Sequence, residues 1–154
     1  MSEVKKAVLD VLMRGMEIEK ETFDFYTRAE QKTFNADGKR IFRWLAKSEE
    51  EHYLKLSELY KTLDESDRWV FYGGSTISLE PEGDGAGVGF DTDDLEELKL
   101  AREVEQKGIA YFDELLSHTS DPDGRGMIET LRREEEEHLR VIDARYQAIQ
   151  AHAK

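Results

Sequence analysis

The chain has 154 residues, of which 37% are charged, and its net charge of −13 opposes binding to nucleic acid and to anionic membranes. It contains no cysteine, which excludes disulfides, zinc fingers, thiolate-bound iron–sulfur clusters and a cysteine nucleophile. Because no apolar run approaches the roughly 20 residues of a membrane span, and because the first residues are too charged for a signal peptide, we expect a soluble, cytoplasmic protein.

Four segments with the periodicity of α-helices follow one another along the chain, and glycine and proline are almost confined to the gaps between them. The predicted helices are residues 2–33, 37–63, 92–118 and 121–150. Turn and N-cap residues at Asn35–Gly38 and Asp121–Gly124 keep the joint within each helix pair short. Short joints favour antiparallel hairpins, so we predict an all-α fold in which two helical hairpins form an antiparallel four-helix bundle.

A long segment, about residues 64–91, joins the two hairpins. A loop of this length in a small domain needs a structural reason, and a crossover along the bundle supplies one, since helices of about 30 residues are roughly 45 Å long. The segment contains an aromatic patch, Trp69–Tyr72, which we interpret as cover for the core, a dimer contact or a swapped segment. It also contains a glycine-rich run at 83–89. We predict a single domain over residues 1–154.

The two predicted hairpins are copies of one another. When the chain is shifted by 86 positions, Glu49 falls on Glu135 and His52 falls on His138, with no gap between residues 15 and 60. The matching positions include polar residues that interrupt apolar helix faces. A duplicated hairpin predicts a pseudo-twofold axis that relates the two halves of the bundle.

Six polar residues lie at positions that should face the core. They are Glu19, Glu49, His52, Glu105, Glu135 and His138. An ionised glutamate buried alone would cost several kcal/mol, so the four glutamates need compensating charge. Each histidine follows a glutamate by three positions, which places both side chains on one helix face. Four carboxylates balance two divalent cations, and glutamates from two helices with Glu-x-x-His from two others form the pattern of di-iron and di-manganese bundles.

The motifs that carry these residues resemble those of the rubrerythrin-like branch of the ferritin-like superfamily. They read EKETFDFY at 19–26, EEEH at 49–52, EQKGIAYF at 105–112 and EEEH at 135–138. The resemblance covers all four helices but not the crossover. It implies a ferritin-like bundle in which two iron ions are bridged by Glu49 and Glu135. Each ion would be completed by one further pair: Glu19 with His52, and Glu105 with His138.

The sequence departs from typical rubrerythrins in two ways. It has no four-cysteine rubredoxin-like domain, so electrons would have to come from a separate donor protein. It also has Gly108 where rubrerythrins carry an extra glutamate, three residues after the third-helix ligand. The remaining six-residue set is more similar to a bacterioferritin ferroxidase centre, which weakens the argument for a rubrerythrin-type peroxidase cycle but not the argument for metal binding.

On this resemblance we expect a di-iron oxidoreductase that reduces peroxide or dioxygen with electrons from Fe(II) or from a separate donor protein. Manganese is an alternative to iron, and we expect a homodimer. Two other functions remain open. One is a ferroxidase or iron-handling protein, and the other is a non-catalytic, metal-stabilised bundle that acts as a partner module.

Tyr26 lies two turns after Glu19 on the same helix face. Its hydroxyl would bond a ligand carboxylate, relay a proton or a radical, or serve only as a satisfied core hydroxyl. Its repeat partner is Phe112, so only one metal position would receive this hydroxyl. The remaining glutamates of the two EEEH motifs, which we call the acidic runs, lie about 100° or 200° around the helix from the ligands, so we predict that they face solvent. They are Glu50, Glu51, Glu136 and Glu137.

Overall fold

The computed structural model describes residues 2–77 and 90–152, without the side chain of His152. Its helices are α1 (Glu3–Lys32), α2 (Ala36–Ser66), α3 (Leu95–Ser117) and α4 (Pro122–His152). The described ranges contain no strand, and the predicted all-α, ferritin-like four-helix bundle is confirmed. None of the helices in these ranges is long and apolar enough to span a membrane. The predicted glycine-rich run at 83–89 lies outside the described residues.

Side-chain caps begin three of the helices. Ser2, Asn35 and Asp121 precede α1, α2 and α4, and a side-chain oxygen of each accepts a hydrogen bond from a backbone N–H of the first turn. Such a cap stabilises a helix by about 1 kcal/mol. Helix α2 ends at Ser66, and the next residue, Asp67, has a left-handed backbone (φ 57°) that directs the chain into the crossover.

The third helix begins later than predicted, at Leu95 rather than at residue 92. Residues Thr92–Asp94 form a 3-10 turn instead. The Asp91 N–H donates to Asp94 Oδ2 at 2.8 Å, and the Asp94 N–H donates to the Asp91 carbonyl at 2.9 Å. These local bonds compete with α-helical bonding, which is why the α-helix starts only after them.

Two apolar clusters fill the bundle. Fully buried members of the first include Leu12, Leu56, Phe112 and Leu131, and those of the second include Tyr26, Phe42, Leu45, Leu98 and Ile142. Each buried side chain of this size stabilises the fold by roughly 1.5–3 kcal/mol. On every helix the predicted metal ligands lie between a residue of one cluster and a residue of the other. The bundle therefore has a polar layer enclosed by apolar side chains at both ends.

The helices that carry these clusters are antiparallel across the pseudo-twofold axis. Arg14 pairs with Glu114 towards one end, and Lys32 lies 3.5 Å from Glu97 towards the other, so α1 and α3 run in opposite directions. In the described part of the crossover, Trp69, Val70 and Tyr72 pack against the first cluster, while Phe71 is 86% exposed. The packed residues support the interpretation of the aromatic patch as cover for the core.

Helices α1 and α3 approach closely at Gly15. A Cβ added there would lie 1.9 Å from the hydroxyl oxygen of Tyr111, and that hydroxyl donates to the Val11 carbonyl at 3.0 Å. Gly15→Ala is expected to lower the free energy of unfolding by about 1–3 kcal/mol, because overpacking outweighs the better helix propensity of alanine. Urea unfolding measures the change.

Gly126 provides the matched control for this prediction. It lies in α4, and a Cβ added there meets nothing within 4 Å. Gly126→Ala should therefore stabilise the protein by up to about 1 kcal/mol. Equal effects of the two substitutions would contradict the close packing of α1 on α3.

Candidate dinuclear metal centre

The structure brings all six predicted ligands together in the polar layer. Their exposed fractions are between 0 and 2%. Helix α1 contributes Glu19 and α3 contributes Glu105, while α2 and α4 each contribute a Glu-x-x-His pair. Because the members of each pair are three residues apart, one helix turn aims a carboxylate and an imidazole at the same point.

The six residues form two overlapping groups. Within each group the possible ligand atoms all lie within 4.8 Å of one another. We name them by their histidines: the His52 group is Glu19, Glu49, His52 and Glu135, and the His138 group is Glu49, Glu105, Glu135 and His138. Two carboxylates belong to both groups, as expected of bridging ligands. This is the arrangement that the family resemblance implied.

Short distances join the ligand atoms across the helices. His52 Nδ1 lies 2.9 Å from Glu135 Oε1, and His138 Nδ1 lies 3.0 Å from Glu49 Oε1. The two imidazole rings are 6.0 Å apart and nearly parallel, with an angle of 14° between them. Each histidine therefore points the same ring nitrogen at the carboxylate supplied by the opposite hairpin, as the pseudo-twofold axis requires.

Several buried atoms of this cluster have no hydrogen-bond partner among the described residues. They are Glu19 Oε2, Glu49 Oε2, His52 Nδ1, Glu105 Oε2 and Glu135 Oε1. A buried polar atom without a partner costs about 1–3 kcal/mol, and this cluster concentrates five of them at one point. Carboxylate oxygens and imidazole nitrogens are ligands for divalent first-row metals. The residues thus fit a dinuclear metal site, whose cations would satisfy these atoms.

The match to known families covers the first hairpin. Residues 2–72 match the family model for rubrerythrin. The first hairpin is therefore similar to rubrerythrin. The matched segment contains α1, α2 and the crossover as far as Tyr72, whereas the ligands of α3 and α4 lie beyond it and rest on the internal repeat and on the geometry above. No match was found among curated proteins or among solved structures.

Burial and neighbouring groups shift the pKa values of three glutamates in this cluster, Glu19, Glu49 and Glu135. Burial raises the pKa of Glu19 well above its usual value, and the charge of Glu49 raises it further. Burial and the charge of Glu105 raise the pKa of Glu135 in the same way. Burial would also raise the pKa of Glu49, but its hydrogen bonds with Glu19 and His138 lower it instead. In the metal-free protein, protons on some carboxyls thus take the place of cations.

The histidines behave in the complementary way. Burial lowers the pKa of both rings, but the surrounding carboxylates more than offset burial. The pKa of His52 is raised well above its usual value, chiefly by the nearby carboxylates of Glu134 and Glu135, and the pKa of His138 is raised to about 10 by Glu105 and Glu49. Metal binding must therefore displace protons from both rings, because only a neutral imidazole nitrogen can bind a metal ion.

Tyr26 donates its hydroxyl hydrogen bond across the bundle. Its acceptor is Glu105 Oε1, at 2.6 Å, so the hydroxyl serves a ligand of the His138 group although Tyr26 shares a helix face with Glu19. The repeat partner, Phe112, instead packs its ring edge-on against His52, with ring centroids 6.3 Å apart. The predicted difference between Tyr26 and Phe112 is thus present in the structure as one hydrogen bond.

Tyr26→Phe is expected to reduce metal affinity at the His138 group by roughly tenfold, because loss of an outer hydrogen bond to a ligand typically costs 10–100-fold. It should also destabilise the metal-free protein by about 1–3 kcal/mol, since Glu105 loses a buried partner. Tyr111→Phe is the matched control, because its buried hydroxyl binds the Val11 carbonyl and no predicted ligand. Calorimetric metal titration should separate the two variants, and equal metal affinities would contradict the role of Tyr26.

Gly108, which stands where rubrerythrins carry an extra glutamate, lies beside the Glu135 carboxylate. A Cβ at this position would lie 2.6 Å from Glu135 Oε2, so a side chain there would displace that carboxylate. The structure therefore agrees with a six-residue ligand set. It also explains why glycine occupies this position of α3: the carboxylate of α4 fills the volume next to it.

The acidic runs are only partly solvated. Glu50, Glu136 and Glu137 are exposed, as predicted. Glu51 is only partly exposed. It accepts hydrogen bonds from Thr76 N, at 3.3 Å, and from the hydroxyls of Ser75 and Thr76. It holds the crossover against α2, a role that the sequence analysis missed.

Glu134 is the second residue that the sequence analysis missed. Its Oε1 lies 2.9 Å from His52 Nε2, the ring nitrogen that faces away from the centre. It lies four positions before His138 and three after the buried Leu131, and this spacing places it near the inward face of α4. That spacing was a signal for an inward position, but its partners come from α2 and the crossover, whose placement the sequence does not reveal.

Proposed function

We propose that this chain is a di-iron oxidoreductase that reduces peroxide or dioxygen. The observation that carries the proposal is the pair of overlapping Glu/His groups, which share Glu49 and Glu135 and contain five buried atoms without hydrogen-bond partners. Anionic oxygen ligands favour the higher charge of oxidised ions, so a carboxylate-rich layer suits a pair of metals that lose electrons. Iron is the metal we propose, with manganese as the alternative.

The residues of the chain would hold and tune this pair of ions. Glu49 and Glu135 would bridge the ions, and the remaining four ligands would complete them in the pairs given above. Two Fe(II) ions, when bound, supply the two electrons that convert hydrogen peroxide and two protons into two water molecules. Tyr26 holds a proton at its hydroxyl, 2.6 Å from Glu105 Oε1. The apolar clusters on both sides of the polar layer would allow only small oxidants to reach the ions.

Anaerobic loading with Fe(II) followed by one equivalent of hydrogen peroxide tests the proposal. We expect the peroxide to disappear and the near-ultraviolet absorption of ferric iron to grow, and dioxygen is tested separately in the same way. Glu49→Gln should abolish both signals. Glu50→Gln changes an exposed neighbour on the same helix and should leave them unchanged. If the Fe(II)-loaded protein consumes neither oxidant, the proposal is wrong.

A ferroxidase or iron-handling role is the second candidate, favoured by Gly108. Because Glu135 fills the space beside this residue, the chain keeps the six-residue set that resembles a ferroxidase centre. In that role Fe(II) is the substrate, so the protein should oxidise many more than two Fe(II) ions per chain with dioxygen and no donor. A single oxidation of about two ions per chain, renewed only by a reductant, would favour the oxidoreductase. Metal binding without either reaction would favour the non-catalytic partner module.

The proposal extends to the electron donor, the location and the assembly of the protein. The described residues and the full sequence contain no cysteine with which to bind a rubredoxin-type iron, so we propose that a separate donor protein reduces the ions. We also propose a cytoplasmic homodimer. Phe71, which is 86% exposed beside the buried aromatic residues of the crossover, is an apolar side chain that a second copy would cover. Light scattering on the protein and on Phe71→Ser tests the assembly.

A further inference from the structure

Glu134 connects a predicted metal ligand to the crossover. Its Oε1 lies 2.9 Å from His52 Nε2 and also accepts a hydrogen bond from the Tyr72 hydroxyl. Its Oε2 accepts a hydrogen bond from the Ser75 N–H at 2.6 Å. Both oxygens are thus occupied, and the carboxylate has little freedom to turn. It is positioned to hold the His52 ring from the side opposite the metal centre.

The segment Tyr72–Ile77, which we call the strap, is itself held at several points. Tyr72 and Ser75 bond Glu134 on α4, and Ser75 and Thr76 bond Glu51 on α2. At the far end the Ile77 carbonyl accepts a hydrogen bond from Trp44 Nε1 at 3.4 Å. The strap therefore bridges the two hairpins on the side of the bundle where the histidines lie.

Among the residues that the structure describes, the other half of the centre has no such carboxylate. The repeat partner of Glu134 is Ser48, 86 positions earlier, which is 1% exposed and whose hydroxyl has no hydrogen-bond partner among the described residues. The polar contacts of His138 with described residues are made by Nδ1, which lies 3.0 Å from Glu49 Oε1 and 3.4 Å from Glu105 Oε1, and not by Nε2. The ring of His138 instead packs edge-on against Trp44, with ring centroids 5.0 Å apart. Packing, not a hydrogen bond, holds this imidazole from outside.

The difference has a known physical consequence for metal binding. A hydrogen bond to the outer nitrogen of a ligating histidine fixes the ring and its tautomer and makes the inner nitrogen a stronger donor, and its loss typically lowers affinity by 10–100-fold. The His138 group also has one outer hydrogen bond, from the neutral Tyr26 hydroxyl to Glu105, but hydrogen bonds to a charged group such as Glu134 are the stronger kind. From this geometry we propose that Glu134, held by the strap, is a positioning residue for His52 and makes the two metal positions unequal, with the tighter ion in the His52 group. The inference rests on the proposed metal centre, and it predicts that the His52 group binds its ion first.

Calorimetric titration with Co²⁺, a probe that does not require an oxidation step, tests the inference. The wild-type chain should bind two ions in two resolved steps. Glu134→Ser, which copies the residue in the other half, should weaken the tighter step by about 10–100-fold and change the weaker step by much less, so that the steps merge. Glu134→Gln keeps an acceptor oxygen and should fall between the two. Glu137→Ser, on the exposed surface of the same helix, should match the wild type.

Double variants assign the effect to one histidine. In a His138→Gln background the loss caused by Glu134→Ser should persist, and in a His52→Gln background it should vanish. Tyr72→Phe, which leaves the Ser75 N–H on Glu134, should weaken the tighter step by less than Glu134→Ser does. A change in both steps to the same extent would mean only a general structural role and would overturn the inference, as would two equal steps in the wild type. Fewer than two bound ions in the wild type would overturn the proposed centre itself.

Discussion

Glu135→Gln is expected to remove both metal ions without unfolding the protein. Glu135 belongs to both ligand groups. Its loss should therefore lower the metal affinity of both positions by more than about 100-fold, the upper end of the effect of losing an outer hydrogen bond. Burial and neighbouring carboxylates raise its pKa, so the metal-free protein favours the neutral form of this side chain. A glutamine has nearly the same shape and no charge. Metal binding should therefore disappear while the melting temperature of the metal-free protein stays the same or rises.

Two variants define the specificity of this result. Glu136→Gln alters the exposed neighbour on the same helix and should retain two ions per chain. Glu19→Gln alters a residue that belongs only to the His52 group and should reduce binding there first. Elemental analysis after gel filtration, together with thermal unfolding, separates these cases. If Glu135→Gln retained two ions, Glu135 would not be a bridging ligand.

Metal removal is expected to destabilise the protein, and more strongly as pH rises. In the metal-free protein the pKa values of Glu19, Glu135, His52 and His138 are all raised, the last of them to about 10. A group whose pKa is higher in the folded state than in the unfolded state stabilises the fold when it is protonated. This contribution is complete below the unfolded-state pKa and is lost as pH rises through the folded-state pKa. For His138 this window runs from the usual imidazole pKa of 6.5 to about 10.

The loaded protein should not show the same loss, because cations replace the protons. We expect chelation to lower the melting temperature by roughly 5–15 °C near pH 9 and by clearly less near pH 6, from a difference of several kcal/mol. Loading should release about two to four protons per pair of ions. Scanning calorimetry of both forms over this pH range measures the first effect, and titration in buffers of different ionisation enthalpy measures the second. Equal melting of the two forms at pH 9 would count against a buried metal centre.

That the six proposed ligands lie together in one buried layer could be predicted because the signal for each residue is local to its helix. Glu49 and His52 interrupt an apolar face at a spacing of three, and the repeat places Glu135 and His138 in the same way. Helical periodicity alone fixes which face is buried, so no knowledge of the packing was needed. The start of α3 was predicted less well, because the bonds between Asp91 and Asp94 are a local alternative to the helix that periodicity does not report.

The outer contacts of the centre could not be predicted in the same way. Tyr26 shares a face with Glu19, yet its hydroxyl reaches Glu105 on the opposite hairpin. The partners of Glu134 come from α2 and the strap, and the path of the strap depends on how the two hairpins pack. Such contacts depend on tertiary structure. Sequence periodicity could predict the position of Glu134 on its helix, but not the residues that it contacts.

Anomalous diffraction from crystals of the iron-loaded protein, measured on both sides of the iron absorption edge, tests the central claim most directly. The structure predicts two peaks in the polar layer, about 3.5–4 Å apart as in other two-metal sites. Both should contact Glu49 and Glu135, with His52 and His138 on different peaks. A single peak, or iron bound only at the exposed glutamates of the acidic runs, would contradict the dinuclear centre.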